Sequence, residues 1–352
     1  MNKSNIREYF LAEFWRGQLE EYISTLHWSK QGSLVATSAE GMVIYYEMGK
    51  QPKILLTPPE TNYQGIQSAD FSVDGDYLAV GAQDGKVRIW QLKPEIELIT
   101  TLEYPKKWIE HLAWHPQQPL LAFSFGYYVQ VWDLLTKAVM TTLSLGDASV
   151  LSLQWHPIGA YLAVGANGGI CIWQSDDWDE DPFWAEVAGA CQQIAWSPDG
   201  LYLAGNSLDN SVWIWNWENL ETWHLSGFSS KIRDLSWSTL QGDFAPLLII
   251  CCLDTIIMWH KAPSDDDGWY SLPLQEHDDI VNTLAFHPQN FSFVSLDEQG
   301  MLIFWSQNHQ VLEKLTIFQE GGGALVAWHP TGEYLAVGSK TGEVAVIGWV
   351  KK

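Results

Sequence analysis

The chain is short of positive charge. Its 352 residues include 19 Lys and Arg against 42 Asp and Glu, a formal net charge of −23. The only basic doublets are Lys106-Lys107 and Lys351-Lys352. Phosphate backbones and anionic membrane surfaces are gripped by clustered Lys and Arg, so this balance argues against both as ligands. Cysteine is scarce too. Cys171, Cys191, Cys251 and Cys252 sit inside apolar runs without CxxC spacing, which reads as reduced, buried thiols and not as a disulfide or zinc framework. No apolar run approaches the ~20 residues of a spanning helix. The first eight residues show no apolar signal core, so a cytoplasmic location is expected. A glycine-rich phosphate loop, a G-x-S-x-G elbow and H-E-x-x-H are all missing. We therefore expect no catalytic residue, no cofactor and no metal site. Convincing helical periodicity is absent as well, which leaves strands.

What the chain has in excess is tryptophan, with 21 residues. One fully buried Trp removes roughly 150–250 Å² from water, worth roughly 4–6 kcal/mol gross as an upper bound. So many wedges need a repeated place to go. The stretch Ala327-Trp328-His329-Pro330-Thr331-Gly332-Glu333-Tyr334-Leu335-Ala336-Val337-Gly338 supplies it, because it recurs at Ala195–Gly205, Asp70–Gly81 and Gln154–Gly165. Each copy is an aromatic, a turn with Gly and usually Pro, then an apolar run. The anchors are Trp28, Phe71, Trp114, Trp155, Trp196, Trp237, Phe286 and Trp328, spaced by 43, 43, 41, 41, 41, 49 and 42 residues. A second Trp follows the anchor by 18 or 19 residues at Trp90, Trp132, Trp173, Trp215 and Trp305, and by 22 at Trp259. Between the markers lie Asp/Gly turns and alternating β-rich segments such as Lys86–Trp90. A period near 42 falls in the range of four-stranded propeller blades.

On these residues the chain resembles the WD-repeat β-propeller family. The resemblance runs over residues 1–352 as a single domain, all-β, with eight blades expected and seven as the alternative. Only Trp132-Asp133 is a literal Trp-Asp pair. The resemblance implies a buried hydrogen-bonded network of His277, Ser295, Asp297 and Trp305 in one repeat, with the other repeats held by packing. The run Tyr9–Trp15 is expected to supply the fourth strand of the last blade and so close the ring. Four turn histidines, His115, His156, His287 and His329, each precede Pro. Equivalent turns on separate blades cannot meet within the ~2 Å reach of a shared metal, so these are read as turn residues.

In a repeat fold the departures carry function. Two acidic connections, Ser175–Pro182 and Ala262–Trp269, contain Trp178 and Trp269. They read either as a docking rim for basic segments or as solvated loops whose Trp folds back. Neither fits an EF-hand spacing. By the resemblance, partners are gripped on the face built from the Asp/Gly turns, where Tyr63, Lys107, Trp108, Tyr127, Tyr128 and Asp279 are candidates. Phe125-Gly126-Tyr127-Tyr128 stands out because aromatics replace the usual Asp-Gly. The expectation is a non-catalytic scaffold or assembly factor, monomeric on its own, binding proteins with basic segments. The alternative is a propeller enzyme holding a small molecule or quinone in its channel.

Overall fold

The computed structural model describes residues 9–58, 64–240, 245–263 and 268–351. Every regular element there is a strand. β1 (Tyr9–Gln18) precedes β2 (Ile23–Trp28), β3 (Ser33–Ser38), β4 (Val43–Glu47) and β5 (Lys53–Leu56). Next come β6 (Ile66–Phe71), β7 (Tyr77–Ala82), β8 (Lys86–Gln91) and β9 (Glu97–Glu103), then β10 (Leu112–Trp114), β11 (Leu120–Phe125), β12 (Tyr128–Asp133) and β13 (Ala138–Ser144). The middle of the chain forms β14 (Val150–Trp155), β15 (Tyr161–Gln174), β16 (Phe183–Trp196), β17 (Tyr202–Ser207), β18 (Ser211–Asn216) and β19 (Thr222–Leu225). The last third gives β20 (Ile232–Trp237), β21 (Leu248–Cys252), β22 (Thr255–Lys261) and β23 (Trp269–Gln275). It ends with β24 (Val281–Phe286), β25 (Phe293–Asp297), β26 (Met301–Trp305), β27 (Val311–Thr316), β28 (Gly323–Trp328), β29 (Tyr334–Ser339) and β30 (Glu343–Lys351).

The strands form seven antiparallel sheets, six of four strands and one of six. Eight separate blades were expected, and the sheet count is instead seven. The difference lies at β14 to β19. There β16 runs unbroken for 14 residues, pairing with β15 through its first half and with β17 through its second. Hydrogen bonding is therefore continuous across two successive anchors, Trp155 and Trp196. β15 is also 14 residues long, yet its ends return to each other: Ser175 N–H donates to Ala160 O at 3.0 Å. Gly168 and Gly169, at φ 88° and 154°, make the turn between.

By their contacts the residues divide into two compact units, one of 1–28, 34–55 and 228–352, the other of 29–33 and 56–227. The first holds the sheets β2–β5, β20–β23, β24–β27 and β28–β29–β30–β1. The second holds β6–β9, β10–β13 and the six-stranded sheet. Within a sheet, burial falls from the inner strands outward. All of β21 is buried, whereas β23 is mostly exposed. The core therefore sits between neighbouring sheets, as in the cluster where Ile249 and Ile256 meet Leu284 and Trp305.

Neighbouring repeats are clasped at the anchor turns. The Trp155 indole N–H donates to Ala113 O at 3.1 Å, Trp28 to Ala327 O at 3.0 Å and Trp328 to Ala285 O at 3.2 Å. Each acceptor immediately precedes the anchor of the adjacent repeat. A turn histidine answers in the other direction. His115, His156 and His287 place Nε2 at 3.1, 3.2 and 3.1 Å from the carbonyls of Gly159, Gly200 and Gly332. Their rings also stand edge-on to the next anchor, at 4.6 Å for His115 on Trp155 and 4.8 Å for His156 on Trp196. Gly159 is needed twice over: its φ is 78°, and a Cβ there would lie 2.1 Å from the His115 ring. Backbone N–H groups of Gln117 and Gln118 donate to His115 Nδ1. The ring is thus neutral, with Nε2–H as donor.

β1 pairs with β30 from Tyr9–Lys351 to Gln18–Glu343, becoming the fourth strand of the sheet that also holds β28 and β29. Trp15 stacks on Tyr46 at 4.6 Å, and Phe14 stands edge-on to Tyr334 at 4.9 Å. Removing residues 1–18 would expose the β30 edge and the surfaces under both rings. At ~3 kcal/mol for two aromatic contacts, the truncated chain should melt about 4 °C lower and self-associate in light scattering; unchanged melting and a monodisperse monomer would contradict this role.

Burial pushes His115, His156, His287 and His329 below their ordinary pKa, and His111 down to about 4. The native state then binds fewer protons than the unfolded chain below pH ~6.5, so stability rises with pH through that window. The melting temperature should fall as pH is lowered from about 7 to about 5. His156→Gln, which keeps an N–H for Gly200, should flatten part of that slope. A flat or rising melting temperature on acidification would refute the assignment.

Candidate functional site

One departure from the repeat lies between β9 and β10 and at the β11–β12 turn. The loop is pinned on both sides. Tyr104 N–H donates to Gly85 O at 2.7 Å and Ile109 N–H to Ala82 O at 3.1 Å, and Ile109 is fully buried. Lys106 takes a positive φ of 64°, which turns the chain and leaves Lys107 and Trp108 outside. Trp108 is 55% exposed. The facing turn pairs Phe125 with Tyr128 across Gly126, at φ 64°. Tyr127 and Tyr128 remain 45% and 41% exposed. Lys107 joins the two elements: a Cβ on Gly126 would lie 3.2 Å from its Nζ.

A stack beneath holds this patch rigid. Tyr128 lies 5.6 Å from Phe125, Phe125 lies 4.6 Å from Tyr104, and Tyr104 stands 5.4 Å from Phe123. The Tyr104 hydroxyl bonds to Gln130, whose amide donates to Thr142 Oγ1 at 2.9 Å. Burial pushes the Tyr104 phenol pKa up, so it stays a protonated donor. The patch offers aromatic faces and edges beside an ammonium, on backbone that is already ordered. Such a surface loses little entropy when it binds. Of the stack under it, Phe125 belongs to the turn that the sequence singles out, whereas Tyr104 was not singled out. Their signal was an aromatic at each end of the segment that carries the exposed residues.

The remaining candidates are spread over both units. Tyr63 lies outside the described residues. Asp279 accepts from Ile280 N–H at 2.6 Å and from Gln299 Nε2 at 2.8 Å, contacts that hold its carboxyl below the usual range. It shapes its own turn. Trp178 is half-buried and edge-on to the anchor Trp155 at 6.0 Å. Trp269 opens β23, half-buried and 5.8 Å from the anchor Trp237. Both indoles are committed to packing within their own repeats. Residues 264–267, the acids of the second connection, lie outside the described residues.

His277, Ser295, Asp297 and Trp305 meet in one buried cluster. His277 Nδ1 lies 2.8 Å from Asp297 Oδ2 and Nε2 lies 2.7 Å from Ser295 Oγ. The Trp305 indole donates to the same hydroxyl at 2.9 Å. Asp297 Oδ1 also accepts from the N–H groups of Gln299 and Met301. Every member has its partners, so the cluster is a structural fastening. Other repeats do not rely on packing alone, contrary to expectation. Arg88 and Asp84 pair at 2.5 Å with both side chains largely buried, and Tyr104–Gln130–Thr142 plays a similar part.

Three segments, residues 55–91, 139–174 and 188–216, match the family described as WD domain, G-beta repeat. The chain is 24% identical over 231 residues to meiotic fizzy-related protein 2 of Schizosaccharomyces pombe, covering 63% of this chain and 45% of that one. It is 27% identical over 189 residues to Protein HIR1 of Cryptococcus neoformans, covering 47% and 21%. To the LST8 homolog of Drosophila melanogaster it is 27% identical over 186 residues, covering 47% and 58%. It thus spans only part of each relative. Among solved structures, the C-terminal WD40 domain of Sif2 superposes with a TM-score of 0.76 at 14% identity, over 96% of this chain and 98% of that one. A chain of the mitotic checkpoint complex gives 0.66 at 16% identity, over 97% and 91%. With the sheets, the anchors and the recurring turn already in hand, these likenesses show a β-propeller fold, three segments of which match the WD repeat.

Proposed function

We propose that this chain is a non-catalytic platform that binds other proteins through its turn surfaces. The observation that carries the reading is the pinned patch of Lys107, Trp108, Tyr127 and Tyr128. Exposed aromatics on ordered backbone are typical anchors of protein interfaces. The net charge of −23 favours partners with basic segments, by raising encounter rates and repelling acidic competitors. The checkpoint-complex chain, which shares this fold, is one component of an assembly. The reading includes a monomeric, cytoplasmic chain that does not engage nucleic acid.

The chemistry-bearing side chains support a non-catalytic role because they are spent on structure. Burial pushes the Cys171 and Cys191 thiols up to about 12 and Cys251 well above its ordinary value, so none of the three is a ready nucleophile. The turn histidines are neutral and clasp neighbouring repeats. Among the described residues, no three His, Cys, Asp or Glu groups come together in a manner that could hold a metal ion.

We further propose that the six-stranded sheet corresponds to two blades joined edge to edge, giving eight repeats. Support comes from the anchors, which end eight different strands: β2, β6, β10, β14, β16, β20, β24 and β28. The Ser175–Ala160 bond adds to this. It has the same place in its repeat as Leu92 to Asp76, Leu134 to Pro119 and Trp217 to Leu201, so β15 counts as two strands.

The platform is tested by affinity capture from native lysate with Trp108→Ser, Tyr127→Ser and Tyr128→Ser combined. Recovery of stoichiometric partners should fall about tenfold or more, with the melting temperature unchanged, and association should slow as salt rises. Undiminished capture by the triple variant would remove the patch from the reading. A robust thermal shift with a metal, nucleotide or quinone would favour the enzyme alternative.

A further inference from the structure

The repeats can be laid over one another by one backbone bond. In four turns, the residue after the anchor donates its N–H to the carbonyl five residues on, at or just before the start of the next strand. His156 donates to Tyr161 O at 2.8 Å, His329 to Tyr334 O at 2.9 Å, His115 to Leu120 O at 2.8 Å and His287 to Ser292 O at 2.8 Å. Tyr161, Tyr334, Leu120 and Ser292 therefore hold one structural position. In two of these repeats a phenol ring occupies it and stands edge-on to the turn histidine. Tyr161 lies 5.6 Å from His156 at 81°, and Tyr334 lies 5.5 Å from His329 at 85°. At Ser292 the ring is missing while the histidine remains.

A half-open cavity of about 80 Å³ lies there. That exceeds the room two water molecules need, at roughly 30 Å³ each. It is bounded by His287, Ser292, Phe304, Trp305, Trp328 and Trp349. The walls brace one another: Phe304 meets Trp349 at 5.6 Å and Trp328 at 6.2 Å, and His287 meets Trp328 at 5.0 Å. His287 is fixed from both sides, Nε2 by Gly332 O and Nδ1 by the N–H of Gln289 and the amide of Asn290. The space is preformed and does not have to be opened. The Ser292 hydroxyl is shielded from solvent and has no hydrogen-bond partner in the structure, so the open space is walled by rings and not by a polar group.

We propose that this cavity binds a single aromatic ring, the side chain of a tyrosine presented by a partner polypeptide. The chain itself shows the fit twice, since Tyr161 and Tyr334 fill the same position from within. Edge-to-face contact with a neutral histidine and the surrounding aromatics favours a flat ring over an aliphatic chain. The proposal stands on the internal template and does not depend on the Trp108 patch.

The test titrates p-cresol and N-acetyl-L-tyrosinamide into the full chain, followed by the indole N–H resonances of Trp305, Trp328 and Trp349. Both probes should give saturable shifts confined to these indoles. Ser292→Tyr restores the ring in cis; it should weaken both probes about tenfold or more and raise the melting temperature by about 2–4 °C. If the tyrosine variant does not fold, Ser292→Leu, which copies Leu120, should show the same loss of binding. Saturable binding lost in either variant supports the site. Absence of binding to the wild type, or binding unchanged in both variants, overturns it. Binding of p-cresol without the amide would overturn the partner side chain as the occupant, leaving a site for free small aromatics.

Discussion

Everything in this chain depends on how one four-stranded sheet is fastened to the next. A single sheet of some 25 residues cannot cover both of its faces, so an isolated repeat has no stable core. At the junctions that end at Trp155 and Trp328 the fastening is done by two bonds that cross in opposite senses. An anchor indole reaches back to the carbonyl before the previous anchor, and a turn histidine reaches forward to the carbonyl of the next turn glycine. Between them lies the apolar surface that does most of the energetic work. The two polar bonds fix register and angle, which area burial alone cannot do. Asp70 and Asp234 add the same kind of bond elsewhere, accepting from Trp114 N–H and from Leu284 N–H.

Such fastening has a consequence for surfaces. Where junctions absorb the Trp, Gly and His of a turn, as at Trp155 and Trp328, those residues have no freedom left for chemistry. What can vary is the short connections and the residues that face outward from them. Trp178 and Trp269 show how easily an apparent surface residue is drawn inward when an anchor lies within reach. Lys107 and Trp108 escape because Tyr104 and Ile109 hold the loop on either side, and the backbone cannot fold back without breaking those bonds. Exposure here follows from local hydrogen bonding and not from hydrophilicity.

Much of the fold was legible because the period was. Eight anchors at nearly equal spacing specify strands, turns and sheet order with no knowledge of contacts, and each anchor does end a strand. The run at Tyr9 was legible as a partner for the last sheet because one strand was missing there. Continuity of hydrogen bonding was not legible. Whether β16 breaks between its two halves depends on a few dihedral angles at Ala188 and Gly189, and no residue pattern announces them. The histidine clasp was hidden for another reason: a His-Pro turn looks local, whereas its partner lies about 44 residues away in the next turn. The exposed aromatics at Tyr127 and Tyr128 could be singled out as departures, yet the stack that stiffens them reads as ordinary core.

Departures from a repeat come in two signs, and they produce different kinds of site. A residue larger than its counterparts, where packing has no room for it, is pushed outward and becomes a protrusion, as Tyr127 and Tyr128 do at a turn where neighbours have Asp-Gly. A residue smaller than its counterparts leaves a hole whose walls were built for the ring that is absent, as Ser292 does beside His287. A protrusion is conspicuous in a sequence because aromatics are. A hole is silent, since a serine in a turn attracts no notice until the structure shows which position it holds. A repeat protein therefore carries its own templates: the filled copies define the size, shape and chemistry of what would fill the empty one.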